Sequence, residues 1–278
     1  MAGGTSQPGR SVTSKILAIL AAFETTRRAL SLTEIAASAN LPLSTTHRLV
    51  GELIEAGMLS RTPNGGIQLG LRLWSIAQNT GRQLRDTARP FVQDIFSLTG
   101  ETSQLAIRDG NSALYIDRVY GTKRIARASR VGGRLPLHAT AVGKVILAFS
   151  EPWVMEAYLD HPLEALTAHT HNSPILLRKE LEQVKAKNYA VTREEVRLGT
   201  CSIAVPVYHT GRLGCSIGVV VPSSHAANME RHLPVLNGIA KRLEAATVHI
   251  PLETLLGIIT GKDKNIPELD EDDGYPQS

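Results

Sequence analysis

Five consecutive residues, Ser44-Thr45-Thr46-His47-Arg48, set four short hydrogen-bonding side chains beside a cation. Such groups suit the edges of base pairs. Hydroxyl and imidazole groups exchange hydrogen bonds with bases, a threonine methyl meets the thymine methyl, and a guanidinium takes guanine or a phosphate. Ser44, Thr45 and His47 are read here as base contacts, Thr46 as the methyl contact and Arg48 as the cation. Thr33, in the segment just before, joins the set, and Arg61 and Asn64 are placed to reach a phosphate or a minor groove. Two plainer readings stand beside these: Ser44 as a helix N-cap and Arg48 as a solvated surface cation. What favours the base-reading set is its setting, after a Pro-interrupted turn and before the apolar stripe Leu49, Val50, Leu53 and Ile54.

Other groupings of polar residues carry weaker signals. Arg124, Arg127 and Arg130 recur every third residue of a strand-like run, so neighbours in the series face opposite sides and at least one points inward. An unpaired buried guanidinium is costly, which makes Arg127 a candidate for a ligand carboxylate; a solvated basic face or an ion pair with Asp117 is the alternative. His161, His169 and His171 lie in a loop-like stretch without a cysteine or an evident carboxylate cluster, so no metal is expected. GIITGKDK lacks the spacing and the hydroxyl residue of a phosphate loop. Ser202, Cys201 and His209 lack an acid to orient the histidine and a nucleophile-elbow motif, so catalysis is not expected.

These side chains need elements to hold them. Residues 11–27 place Ile16, Leu17, Leu20, Ala21 and Phe23 on one helical stripe. Ser31 with Glu34 forms a capping box that opens a second helix, and Asn40 and Pro42 end it. A third helix opens near Leu43 or Ser44 and stops at Gly57. MLSRTPNGGIQLG then reads as two short strands around a Pro-Asn-Gly-Gly turn, a wing. The whole is a winged helix-turn-helix over residues 11–75. Helical periodicity from Leu71 to about Gly100 is broken at Pro90, which predicts a connecting helix and then the first helix of a second domain.

That domain, residues 76–250 with its linker helix, reads as α+β with a mainly antiparallel sheet. TSQLAIR, SALYIDRV and RIARASR are strands separated by Asp109-Gly110-Asn111 and Gly121-Thr122. Residues 139–149 and 174–188 are helical, CSIAVPVY and CSIGVVVP make a hairpin around His209–Gly211, and a last helix spans 225–247. Residues 251–278 are an acidic tail, disordered by composition. They hold seven acids against two lysines, so the chain up to residue 250 carries about +9 while the whole carries +4. A basic body favours polyanionic partners. No apolar run is long enough for a membrane span and the first residues lack a secretion signal's apolar core, so a cytoplasmic protein is expected. Cys201 and Cys215 read as small buried hydrophobes rather than a disulfide framework.

The pattern SLTEIAASANLPLSTTHRLVGELIEAGML followed by GGIQLGLRLWSIA, together with RLPLHATAVGKVILA and NYAVTREEVRLGTCSIAVPV, resembles the isocitrate-lyase-regulator (IclR) type of bacterial transcription factors over residues 11–250. The resemblance implies a homodimer or homotetramer on a pseudo-palindromic double-stranded DNA operator, and a GAF-like domain that binds a small-molecule effector, with no cofactor. Carried over onto this sequence, the effector residues are His138, Ala139, Thr140, Ala141, Val142, Thr192, Ser202 and Gly218. For the first group physics agrees, because a helix starting near Thr140 turns amide N–H groups and a positive dipole end toward an anion; equally, His138 and Thr140 can serve to cap and brace that helix. This chain has Thr192-Arg193 where many relatives carry an acid, Ser202 in place of a cysteine, and Gly218 and Val220 in place of serines. Those changes argue against a glyoxylate-like or pyruvate-like effector. Two alternatives stay open: a constitutive DNA-binding protein whose second domain only oligomerises, and an enzyme with a helical dimerisation head.

Overall fold

The computed structural model describes residues 10–24, 28–77, 82–121 and 130–252; Arg127 and residues 253–278 of the acidic tail lie outside them. The chain divides into two compact units, residues 1–80 and 81–278.

The first unit begins with α1 (Val12–Ala21), started by Ser11, whose hydroxyl accepts the Ser14 N–H at 3.1 Å. Its core-facing stripe is Ile19 and Phe23, which are buried, with Ile16 and Leu20, which are partly so, while Leu17 and Ala21 face solvent. The expected stripe thus holds at Ile16, Leu20 and Phe23 and fails at Leu17 and Ala21, because the i, i+3, i+4, i+7 set that runs from Ile16 through Ile19 is the one that meets the core. α2 (Leu32–Ala39) opens with the anticipated capping box. Ser31 Oγ accepts the Glu34 N–H at 3.2 Å and Glu34 Oε2 accepts the Ser31 N–H at 2.8 Å. Arg28 holds the same carboxylate at 2.5 Å. Ser31→Ala should therefore cost about 1 kcal/mol, read as a lower midpoint at unchanged slope in urea unfolding.

Asn40, in the left-handed region at φ 51°, ends α2, and Pro42 precedes α3 (Leu43–Glu55). Ile35, Ala39, Leu49, Val50 and Leu53 share one core with Leu59 and Ile67 of the wing. The wing strands, β1 (Leu59–Arg61) and β2 (Ile67–Leu69), pair antiparallel, and Ile67 also exchanges two 2.8 Å backbone hydrogen bonds with Leu30. α4 (Leu71–Ala77) follows.

In the second unit α5 (Arg82–Thr99) contains Pro90, which does not break the helix as anticipated. Leu84, Ala88, Val92 and Ile95 bury an unbroken stripe. Pro90 lies on the exposed side, so the carbonyl that loses its partner faces water and tertiary burial outweighs the missing bond. The sheet is fully antiparallel in the order β5-β4-β3-β8-β7-β6. Its strands are β3 (Thr102–Asp109), β4 (Ser112–Val119), β5 (Arg134–Pro136), β6 (Ala190–Arg193), β7 (Thr200–His209) and β8 (Arg212–Pro222).

α5 and α9 (Leu233–Thr247) cover one face; α6 (Ala141–Phe149), α7 (Pro152–Leu159) and α8 (Pro174–Lys187) belong to the other core. The final helix is shorter than anticipated. Residues Ser223–His232 form a 3-10 helix, and Pro234 at the start of α9 supplies no N–H to continue the earlier turns. The run 124–130 read as a strand falls almost wholly outside the described residues. No helix among the described residues is long and apolar enough to cross a membrane.

Candidate functional site

α3 sorts its residues by face. Thr46, Leu49, Val50 and Leu53 are buried, whereas Ser44, His47 and Arg48 are exposed and Thr45 is half-buried. Thr46 is fully buried and its hydroxyl donates to the Pro42 carbonyl at 3.0 Å. The methyl contact assigned to it is corrected accordingly: at 100° per residue, Thr46 falls on the Leu49–Val50 side of the helix. Ser44 is not the N-cap, because the helix is preceded by Pro42 and has no side-chain cap. Arg48 extends along the surface to Glu52 at 2.5 Å, both side chains more than half exposed. Thr33 at the start of α2, and Arg61 and Asn64 on the wing, are also exposed. The outer side of α3 is thus polar and unobstructed within this unit, fit for a groove.

The second unit presents its polar groups on the sheet face that packs against α6. Leu105, Ile107, Ile203, Val205, Ile217 and Val219 point into the α5–α9 core, so Gln104, Ser202 and Gly218, which alternate with them, turn the other way with Ala106 and Ala204. Thr192 and Ser202 are register partners, and their hydroxyls bond at 2.6 Å. Gly218 offers no side chain and has room for none: a Cβ there would collide with the Ile203 carbonyl and lie 2.9 Å from Ala204 Cβ. It serves the close approach of β7 and β8.

A β-bulge shifts the β3–β4 register between Leu105↔Asp117 and Ala106↔Tyr115. Asp117 consequently faces α5, where its Oδ1 accepts from Arg89 at 3.1 Å and from the Arg118 N–H at 2.8 Å. The carboxylate weighed as a partner for Arg127 is therefore engaged from α5. Arg118 pairs with Gln104 and shares its face. Arg118 is buried, with its guanidinium carbon 5.8 Å from the Tyr115 ring centroid and 5.3 Å from that of Tyr120. Neither Gln104 nor Arg118 was singled out from the sequence.

His138 to Val142 form the buried turn and start of α6. His138 Nε2 lies 2.9 Å from the Glu164 carbonyl, which can only accept, so Nε2 carries the proton and Nδ1 accepts from the Tyr158 hydroxyl at 2.7 Å. Burial lowers the His138 pKa below its ordinary 6.5, which keeps this neutral tautomer. Thr140 Oγ1 caps α6, accepting the Gly143 N–H at 3.0 Å, and donates to the Pro136 carbonyl at 3.3 Å. Both side chains are committed to bracing the turn. What this segment can offer a ligand is its backbone.

One turn further along, Lys144 is completely buried. Its Nζ lies 2.8 Å from both Glu195 carboxylate oxygens and 2.6 Å from Glu180 Oε1, while His171 Nδ1 is 2.8 Å from Glu180 Oε2. Burial raises the Glu195 pKa above its ordinary 4.5, against the pull of Lys144. A carboxylate cluster therefore does accompany His171, contrary to the sequence reading. His171, Glu180 and Glu195 could hold a cation by their spacing, but the Lys144 ammonium sits against both carboxylates and supplies that charge. The cluster fastens the start of α6 to the loop after β6, the two segments that flank the Thr192–Ser202 pair.

Ser202 and His209 are not brought together. They occupy opposite ends of β7, and the His209 ring faces the carbonyls of Thr247 and Ile250 at 3.1 and 2.7 Å. Cys201 and Cys215 are buried free thiols, the latter pushed up to about 12 by burial.

Two family models cover the chain: the IclR helix-turn-helix domain over residues 12–63 and the bacterial transcriptional regulator IclR C-terminal domain over residues 77–245. The HTH-type transcriptional repressor AllR of Escherichia coli (strain K12) is 32% identical over 224 residues, 79% of this chain and 83% of AllR. The HTH-type transcriptional regulator KipR of Bacillus subtilis is 30% identical over 210 residues, 74% of this chain and 84% of KipR. Among solved structures, an IclR homolog from Microbacterium hydrocarbonoxydans complexed with 4-hydroxybenzoate superposes with a TM-score of 0.80 at 29% identity, over 85% of this chain and 98% of that one. With an IclR-type head and an IclR-type effector domain in one chain, this protein belongs to the IclR family of bacterial transcriptional regulators.

Proposed function

We propose that the protein is a ligand-controlled regulator that reads double-stranded DNA through the outer side of α3 and binds a small carboxylate effector on the α6 side of the sheet in the second unit. The observation that supports it most is the division of α3, whose apolar side is locked into the core while Ser44, His47 and Arg48 stand outside it. Thr33, Thr45, Arg61 and Asn64 complete the proposed DNA contacts. Thr192, Ser202 and the backbone of residues 138–142 form the proposed effector site, with Arg127 as the proposed anchor for the effector's carboxylate.

The protein acts as a homodimer or homotetramer on a pseudo-palindromic operator. Effector binding favours one arrangement of two winged heads over another, so that half-site spacing is matched in only one. The Microbacterium homolog holds 4-hydroxybenzoate, which supports a carboxylate in this chain as well. The role is regulatory rather than catalytic, a reading supported by relatives named as a transcriptional repressor and a transcriptional regulator.

Fluorescence anisotropy on the DNA upstream of the protein's own gene tests the first half. Arg48→Ala should weaken binding about 10- to 100-fold, from the roughly 1–3 kcal/mol of a guanidinium contact, and should flatten the salt dependence. Equal affinity for the variant and the parent would remove α3 from the interface. A melting screen with small carboxylates tests the second half, because a ligand at a hundredfold excess over its Kd adds roughly 2.7 kcal/mol.

A further inference from the structure

Leu43, the first residue of α3, is 51% exposed, although Leu49, Val50 and Leu53 of the same helix are buried. A single exposed leucine is ordinary on a protein surface; what marks this one is its company. Residues four apart stack one above the other on a helix, so Leu43, His47 and Gly51 form one row, and none of the three is buried. The row is apolar at its front, polar in its middle and bare at its end. Gly51 lies in the interior of α3, where alanine is favoured because glycine surrenders more backbone freedom on folding. A Cβ on Gly51 would meet no atom of the described residues within 4 Å. Nothing among those residues therefore requires a glycine there, and its bare surface is of use only to something that approaches α3 from outside.

From this row we infer that Leu43 selects thymine in the major groove through its C5-methyl group, and that Gly51 leaves the clearance α3 needs to lie against the DNA. The inference rests on the proposed function, since it takes the outer side of α3 as the side that reads DNA. It adds two residues outside the proposed contacts and the base feature that one of them selects. Thymine alone presents a methyl group in the major groove, and an apolar side chain can cover it without a hydrogen bond. Thr46 is unable to do so, being buried with its hydroxyl on the Pro42 carbonyl. Leu43 is the exposed apolar side chain of the same first turn, and the first residues of a recognition helix are those that reach base edges. Gly51 stands two turns further on, where a side chain would hold the helix off the sugar–phosphate wall.

The test uses the full chain and the DNA upstream of the protein's own gene, amplified once with thymidine and once with deoxyuridine in its place, so that the two probes differ only in the C5-methyl groups. The parent should bind the thymine probe at least about threefold more tightly, the value of one methyl group removed from water. Leu43→Ala should bind the two probes alike, and so should Leu43→Gln, which keeps the length of the side chain. Gly51→Ala should melt higher than the parent and yet bind the thymine probe about tenfold more weakly, the effect of an overpacked contact. Gly238, inside α9 and with equally open space around it, supplies the control: Gly238→Ala should leave DNA affinity unchanged. A parent that does not distinguish the probes, or Leu43 variants that distinguish them as the parent does, would overturn the selection of thymine. A Gly51→Ala protein that binds as tightly as the parent, or a Gly238→Ala protein that binds as weakly as Gly51→Ala, would overturn the clearance. If Arg48→Ala alone weakens binding, α3 still reads DNA and only this row is discarded. If none of the α3 variants changes binding, the proposed reading of α3 falls as well.

Discussion

Lys144→Met should lower the stability of the protein by about 3–5 kcal/mol at pH 8, the cost of leaving a buried carboxylate without its counter-charge. Lys144 is completely buried and Glu195 nearly so, and both Glu195 oxygens lie 2.8 Å from the ammonium. Methionine fills the aliphatic volume but returns no charge. The sign of the pH dependence follows from Glu195. Burial already holds its folded pKa above 4.5, and without Lys144 it rises further. A carboxyl whose folded pKa exceeds its unfolded value keeps its contribution to stability below the unfolded value and loses it as pH rises through the folded one. The variant's deficit against the parent should thus be small near pH 4 and grow toward pH 8. Thermal unfolding of both proteins across that range checks it, and a deficit independent of pH would mean that the ion pair is not what Lys144 contributes. Adding Glu195→Leu to Lys144→Met should restore most of the loss, since removing a whole buried pair costs far less than breaking it.

The second large effect is expected one residue earlier. Alanine normally favours a helix over glycine by about 1 kcal/mol, yet Gly143→Ala should destabilise this protein by about 3 kcal/mol. A Cβ on Gly143 would strike the Leu137 carbonyl oxygen and come within 2.5 Å of Leu137 Cα and Thr140 Oγ1. Backbone on one side and the helix cap on the other leave nothing that can yield. The segment from Leu137 to Thr140 would have to move, and with it the backbone proposed to face the effector. Thr140→Ala, which removes only the cap, should cost about 1 kcal/mol. Chemical unfolding of the two variants separates the effects, and a Gly143→Ala protein as stable as the parent would refute the close packing at the start of α6.

How far the molecule could be read in advance depended on whether a signal was local. The capping box of Ser31 and Glu34 lies within one helical turn, and it forms as the pattern dictates. The hairpin turn at Gly110-Asn111 is likewise local, and Asp109 pairs with Ser112 across it. Thr46 was misplaced although its spacing to Leu49 and Val50 carried the information: five successive helical residues cannot all face outward. Pro90 and Pro234 look alike on the page, but one sits on the exposed side of a well-buried helix and the other at a helix start, and only tertiary packing separates those outcomes. Lys144, His171, Glu180 and Glu195 are spread over more than fifty residues, and no periodicity links them. Arg118 was hidden by its strand. Strict alternation in SALYIDRV places it with Leu114 and Ile116, on the side of the α5–α9 core.

That strand carries a consequence for how proteins of this family diverge. The irregularity between Tyr115 and Asp117 sends an arginine to one side of the sheet and an aspartate to the other, so the charge each face carries is decided by chain length as much as by residue identity. A single-codon insertion or deletion in β4 exchanges the charges of the two sheet faces without altering any amino acid that remains. Surveys that align such proteins column by column, or mutate them one side chain at a time, pass over that route to a differently charged sheet face.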